Sequence, residues 1–472
     1  MTKVTIIGAG STVFSAQLIT DLLVTPALQG GTFGLVDIDP QRLDLAARMA
    51  DFLIDCSGRS WTVEASTERR DVLPGSDYVI STIEVAGPAN VRHDYDIPMK
   101  YGVDQCIGDT IGPGGLFKAL RTLPAWLDIL ADVERLAPRA LVMNYTNPMS
   151  LTVLTGLRAS KLPIVGLCHS IQTTSRRLAG YLDVPYEALD WRAAGINHMA
   201  WFTKLEVDGE DQYPRLHRRV EDPELYEQDV IRFEIMRHLG AFCTESSGHI
   251  SEYMSYFRKR PDLIRRYGRS GYRGESGFYA NNWPSWRREN DERMRATLRG
   301  EQEYHLHRSE EYASYIIEAV ETNIPTVIYG NVLNEGLIDN LSKDGVVEVA
   351  CLVDRKGIQP THFGALPTQL AIIPQQHLAF HDLVATAVIE RDREAAVHAL
   401  MVDPLAAAVC SLAEIRQMFD EMAAAQKDYL PEFLIPKASP QVWRVSVSPI
   451  PSPNPPFSPG VPGDPVILQP GL

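Results

Sequence analysis

Lys3-Val4-Thr5-Ile6-Ile7-Gly8-Ala9-Gly10-Ser11-Thr12 opens the chain with a β-branched run and a glycine turn. Val4 to Ile7 reads as a buried strand, and Phe14 to Val24 as the helix that follows the turn. Gly8 permits a tight turn, and Gly10 lets backbone approach a phosphate at a helix amino terminus. Val13 stands where the third glycine of the dinucleotide fingerprint usually falls, so glycines as plain turn punctuation remain the alternative. A second strand, Gly34 to Ile38, carries Asp37 near its end. A carboxylate there is placed to accept hydrogen bonds from the adenine ribose hydroxyls, which favours NAD over its phosphorylated form. Gly8, Gly10, Ser11, Thr12 and Asp37 are the candidate cofactor-binding residues.

Working outward, Arg42 to Cys56 reads as helix, and Tyr78 to Ile83, Ala140 to Asn144 and Ile164 to Cys168 as further buried strands. This alternation predicts an α/β fold, a Rossmann-type doubly wound parallel sheet. Ligands of such sheets sit beyond the carboxyl ends of the strands, where Asp37, Asn144 to Pro148 and Cys168 all fall. From about residue 195 longer helical stretches take over: Pro223 to Leu239, Ser309 to Thr322, Leu378 to Ile389 and Ala406 to Met422. A polar, aromatic-rich interval around Tyr267 to Trp286 separates the first two. The expected organisation is a nucleotide-binding domain over 1–195, an α+β substrate domain over 196–434 and a tail over 435–472. Residues 438–472 hold ten of the 32 prolines and only Arg444 and Asp464 as charges, which predicts an extended or disordered segment.

The bulk properties narrow the function. A 45% hydrophobic share with 22% charge is that of a globular enzyme, and a net charge of -15 disfavours nucleic acid and anionic membrane as partners. No signal peptide and no apolar span of about 18 residues is legible. Six cysteines (Cys56, Cys106, Cys168, Cys243, Cys351, Cys410) are scattered without a CxxC pair, which fits a reducing, cytoplasmic compartment.

Two residues stand out downstream of the turn. Cys168, in Leu167-Cys168-His169-Ser170-Ile171, and His198, in Gly195-Ile196-Asn197-His198-Met199, could donate one sulfur and one nitrogen to a metal. Their softness alone points to zinc or iron, and their spacing is not diagnostic. Packing is the alternative for each. Gly108-Asp109-Thr110-Ile111-Gly112-Pro113-Gly114-Gly115 reads as a polar loop able to approach a ligand. Asp109 in it is either a catalytic carboxylate or a residue that orients a metal-bound group, with a simple turn as the plainer reading.

These segments, together with Val36-Asp37-Ile38-Asp39-Pro40, Asn144-Tyr145-Thr146-Asn147-Pro148-Met149 and Thr244-Glu245-Ser246-Ser247, resemble glycoside hydrolase family 4. Tyr329-Gly330-Asn331-Val332, Gly336-Leu337-Ile338-Asp339-Asn340-Leu341 and Val347-Glu348-Val349-Ala350-Cys351 extend the resemblance, which runs in order from about residue 3 to 434. In that family a Cys-His-Ser-Val tetrad accompanies α-galactosidases, whereas Cys-Asp-Met-Pro and Cys-Asn-Val-Pro accompany 6-phosphoglycosidases. Here it is Cys168-His169-Ser170-Ile171. The resemblance thus implies an α-galactosidase, with α-galacturonidase or α-glucosidase as alternatives. It also implies NAD, a divalent metal (Mn2+ foremost) and a homodimer or homotetramer.

The resemblance further implies hydrolysis by oxidation and elimination, outside the two-carboxylate rule. NAD takes hydride from sugar C3, and a metal on Cys168, His198 and the sugar's O2 and O3 polarises the ketone. A base removes the C2 proton, the glycosidic oxygen leaves, water adds at C1 and hydride returns. The implied base is Tyr253 in His249-Ile250-Ser251-Glu252-Tyr253, chosen over Tyr256. A phenol of ordinary pKa about 10 needs a nearby cation to serve near neutrality. His169 is placed to protonate the leaving oxygen and Asn147 to contact sugar hydroxyls. A lactate- or malate-type dehydrogenase is the competing class, but its arginine-histidine pair for a carboxylate has no convincing counterpart here. A sugar-responsive NAD-binding protein without turnover is a third.

Overall fold

The computed structural model describes residues 2–11 and 14–436, so Thr12, Val13 and the proline-rich segment fall outside the described residues. The strands, in chain order, are β1 Thr2–Ile7, β2 Gly30–Val36, β3 Ser60–Ser66, β4 Tyr78–Ser81, β5 Leu141–Asn144 and β6 Ile164–Leu167, then β7 Leu189–Ile196, β8 Met199–Val207, β9 Glu210–Asp211, β10 Phe242–Cys243, β11 Thr326–Leu333, β12 Val346–Asp354 and β13 Gly357–Pro360. The first six are parallel in the order β3-β2-β1-β4-β5-β6, the doubly wound arrangement, with the order reversing between β1 and β4. The sheet then continues antiparallel through β11, β12, β7, β8 and β10.

Side chains of the central strands alternate between two cores, as a pleated strand covered on both faces requires. Ile80 of β4 and Met143 of β5 pack with Leu18, Leu22 and Met49 of the helices Ser15–Val24 and Pro40–Ser57. Val79 and Val142, one residue away, pack instead with Phe117, Trp126 and Leu154 of the helices Gly112–Leu136 and Met149–Ala159. The helix Thr368–Ile389 closes this second layer through Phe380 and Val384.

Residues 1–435 make one compact unit, and the expected junction at 195/196 falls inside β7. Among the described residues no helix is long and apolar enough to cross a membrane. Several expected boundaries are corrected. Pro223 to Leu239 is two helices, Pro223–Tyr226 and Val230–Leu239, because the Asp229 carboxylate at the break is held by the buried Arg232 guanidinium and by Tyr181 Oη at 2.9 Å. Ala406 to Met422 is likewise split into Pro404–Val409 and Leu412–Ala425, the second started by a Ser411–Glu414 capping box. Gly112-Pro113-Gly114-Gly115 is no loop but the first turn of the 25-residue helix Gly112–Leu136. A Cβ on Gly114 would lie 2.3 Å from the Gly108 carbonyl oxygen, and one on Gly115 2.3 Å from the Thr110 carbonyl carbon. Those glycines let the helix start pack directly on the backbone that carries Asp109.

Candidate active site

The glycine turn at the carboxyl end of β1 is shaped by its neighbours. Gly8 has φ 87°, and a Cβ there would lie 2.7 Å from the Thr82 carbonyl group just after β4. Asp37 Oδ2 accepts from Gly10 N at 2.8 Å and Oδ1 from Asp39 N at 2.9 Å, so the carboxylate braces both the turn and the exit of β2. Ser11 N donates back to Gly8 O at 2.9 Å. The helix Ser15–Val24 has neither a side-chain cap from Phe14 nor an acidic residue in its first turn, leaving its amino-terminal N–H groups suited to an anion. These features fit a dinucleotide pyrophosphate.

Cys168 follows β6, and His198 sits in the two-residue link between β7 and β8. With Glu245 they form a cluster whose ligating atoms all lie within 4.8 Å of one another. His198 Nε2 is 3.6 Å from Glu245 Oε2. Both His198 (φ 62°) and Glu245 (φ 70°) hold left-handed backbone, a conformation that costs on the order of 1–3 kcal/mol and persists only where the surroundings impose it. Burial lowers the His198 imidazole to about 4, keeping its lone pair free to bind a cation. Burial pushes the Cys168 thiol up, helped by Glu348 and Glu245, so its deprotonation is tied to arrival of a positive charge. Burial also opposes charge on Glu245, but His198 and His249 hold its carboxyl well below the usual range. One sulfur, one nitrogen and one carboxylate oxygen make a set that fits a borderline divalent metal.

A second layer of charge adjoins the cluster. His249 Nδ1 lies 3.7 Å from Glu245 Oε1 and its Nε2 3.5 Å from Asp109 Oδ1, with its ring 4.4 Å from that of His198. Burial favours neutral His249, yet Glu245 and Asp109 push it up to about 9. Asp109 accepts from Thr110 Oγ1 at 2.6 Å and from Asn147 Nδ2 at 3.1 Å, and lies 3.6 Å from Lys118 Nζ. Against its burial, Lys118 and His249 hold Asp109 down at about 2. The loop before Asp109 is fastened by Glu252, whose carboxylate accepts from Cys106 N and Ile107 N at 2.6 Å and from Gly108 N at 3.0 Å.

Tyr253 and Tyr256 part company at Met254, an extended residue that ends the helix Ser247–Tyr253. Tyr253 is buried among His249 (5.9 Å between rings) and His377 (4.9 Å), its hydroxyl without a hydrogen-bond partner among the described residues. Tyr256 is 55% exposed and packs on Phe257. Burial, then the carboxylates of Asp109, Glu245 and Glu252, raise the Tyr253 pKa well above the ordinary value in the protein alone. His169 projects to the rim, its Nδ1 3.1 Å from Glu311 Oε1. That contact outweighs burial and raises its pKa.

The structure thus gathers Cys168, His198, Asp109, Asn147 and Tyr253 round one point, sets His169 at its edge and places Gly8, Gly10, Ser11 and Asp37 at the neighbouring turn. Glu245 and His249 complete the cluster but were not singled out from sequence; the short segment Thr244–Ser247 was the available signal.

A doubly wound sheet with a glycine turn and a thiol-imidazole-carboxylate cluster beyond its strand ends has the make-up of an enzyme with a candidate dinucleotide site and a candidate metal centre. Residues 3–184 match the model of the family 4 glycosyl hydrolases, and residues 193–406 that of the family 4 glycosyl hydrolase C-terminal domain. The chain is 41% identical to an alpha-galactosidase of Bacillus subtilis, over 92% of this chain and 100% of that protein. It is 34% identical to an alpha-galactosidase of Rhizobium meliloti, over 91% and 89%. A solved 6-phospho-alpha-glucosidase from gut microorganisms, in complex with NAD and Mn2+, shares the fold at a TM-score of 0.77, with 21% identity over 91% of this chain and 99% of that one. The chain belongs to glycoside hydrolase family 4.

Proposed function

We propose that this glycoside hydrolase is an α-galactosidase that works with NAD and a divalent metal, most simply Mn2+. The observation that carries the reading is the Cys168–His198–Glu245 cluster beside the buried Tyr253, at the strand ends of a dinucleotide-type sheet. The alpha-galactosidase relatives support the sugar, and the NAD and Mn2+ of the solved relative support the cofactors.

In this reading Cys168, His198 and Glu245 hold the metal, while Gly8, Gly10 and Ser11 approach the dinucleotide phosphates and Asp37 its ribose. When bound, NAD supplies a reversible hydride acceptor for sugar C3, and the cation supplies positive charge beside the sugar oxygens. Tyr253 removes the C2 proton as the C1–O bond breaks. His169, whose protonated form the Glu311 carboxylate favours, hands a proton to the departing oxygen. Water then adds at C1, and Tyr253, its proton exchanged with solvent, returns a proton to C2. Asp109, fixed by Lys118 and Asn147, orients the sugar hydroxyls, with Asn147 as a further contact. Six unpaired cysteines fit a reducing, cytoplasmic compartment, and the assembly we expect is a homodimer or homotetramer.

The test is hydrolysis of a nitrophenyl glycoside panel with NAD, Mn2+ and reductant each omitted in turn. Cleavage of the α-galactoside alone, only with all three present, supports the reading. Preference for an α-galacturonide or α-glucoside moves the substrate, and stoichiometric NADH accumulation supports a dehydrogenase instead.

A further inference from the structure

The helix Phe278–Leu298 comes from the second half of the chain, yet one of its faces packs against the helices Pro40–Ser57 and Gly87–Lys100, which follow β2 and β4. Tyr279, Trp283, Arg287 and Asp291 follow at four-residue steps and therefore share that face. At one end Gly277 N donates to Gln105 O at 2.8 Å and Tyr279 N to Cys106 O at 3.0 Å, which ties the helix start to the loop leading to Asp109. Tyr279 and Trp283 line a small pocket together with Asp109, Lys118 and Glu84. At the other end Asp291 accepts from Arg42 Nη1 at 3.1 Å, while the same guanidinium donates to Gly10 O in the glycine turn.

Arg287 lies between these anchors. Its Nη1 would be 3.0 Å from a Cβ on Gly87, in the segment that follows β4. It is half-buried, with Arg42, Asp291, Glu84 and Asp37 as its charged neighbours, and among the described residues it makes neither an ion pair nor a hydrogen bond. Arg42 is committed to Gly10 and Asp291. A half-buried guanidinium without a partner, beside the segment that follows β4 and with the like charge of Arg42 among its neighbours, is an arrangement that an anion would complete.

We infer that Arg287 binds the pyrophosphate of the dinucleotide, so that this helix forms the outer wall of the cofactor cleft and joins it to the Asp109 loop. The inference rests on reading the glycine turn as an NAD site. It adds a cofactor contact from a part of the chain that no dinucleotide fingerprint covers.

The experiment is equilibrium binding of ADP-ribose to the full-length protein, followed by tryptophan fluorescence, with adenosine as a competitor lacking phosphate. Arg287→Gln should weaken ADP-ribose on the order of ten- to a hundredfold, the loss expected for charge-assisted hydrogen bonds. Adenosine affinity and the unfolding midpoint should stay within error of the parent, and Arg287→Lys should recover part of the loss. Parental ADP-ribose affinity in Arg287→Gln overturns the inference, and so does an equal loss for adenosine, which would make the residue a shaper of the adenine pocket. A parent protein that binds neither compound overturns the NAD reading itself.

Discussion

His198 Nε2 faces Glu245 Oε2 at 3.6 Å, and each side chain is aimed by a backbone held in the left-handed region. Two such residues meeting at one point, with Cys168 as the third corner, is a costly arrangement for packing alone. We therefore propose Glu245 as a third metal ligand beside Cys168 and His198. Cys168→Ser, His198→Ala and Glu245→Gln should each raise the Mn2+ dissociation constant by at least about tenfold in calorimetric titration and suppress hydrolysis. A variant that binds Mn2+ like the parent does not contribute a ligand.

Glu252 accepts three backbone hydrogen bonds while buried, and those bonds set the course of the chain into Asp109. In Glu252→Gln, one acceptor oxygen becomes an N–H₂ and a buried donor is left facing another. Urea unfolding should register a loss of about 1–3 kcal/mol. Activity at a temperature where the variant is fully folded should also fall, because the Asp109 loop shifts. Unchanged stability would mean that the loop is held by other contacts.

The helix Thr368–Ile389 predicts a specific acid response. Burial lowers His377 to about 4 and His381 to about 3, so both stay neutral in the folded chain where an unfolded chain, at about 6.5, takes up protons. Their stabilisation is present above about pH 6.5 and is lost as pH falls toward 4, at up to about 1.4 kcal/mol per pH unit for each histidine. Glu348, pushed up to about 8 by burial, and Asp403, pushed up to about 7, act in the opposite sense, so the test is a difference between variant and parent. His381→Gln should lose less stability than the parent between pH 6 and pH 4 in urea titrations. Parallel pH profiles would show that His381 is protonated in the folded state.

The parallel half of the sheet was legible because β1, β4 and β5 are short apolar runs bounded by glycine or proline, and because such strands are buried on both faces. β3 escaped notice since Ser60–Ser66 is an edge strand with mostly polar, exposed residues. The glycines at 112–115 read as a loop because glycine disfavours helices; only the backbone contacts at Gly114 and Gly115 explain why the helix starts on them. Cys168, His198, Asp109 and Tyr253 were legible through family resemblance, not through spacing. Glu245 had no pattern of its own, since a single acid in Thr-Glu-Ser-Ser acquires meaning when its backbone conformation turns it toward His198.

We propose that the glycosidic bond is broken by elimination, with Tyr253 taking the C2 proton as the C1–O bond breaks. The decisive measurement is deuterium at C2 of the galactose released when an α-galactoside is hydrolysed in heavy water with NAD and Mn2+. With Tyr253's proton exchanging with solvent between turnovers, the product should be deuterated at C2. A Tyr253→Phe variant should be slowed by about 10² to 10⁴, the usual loss on removing a general base. Direct displacement at C1 never breaks the C2–H bond, and galactose carrying only protium at C2 would overturn elimination as the route.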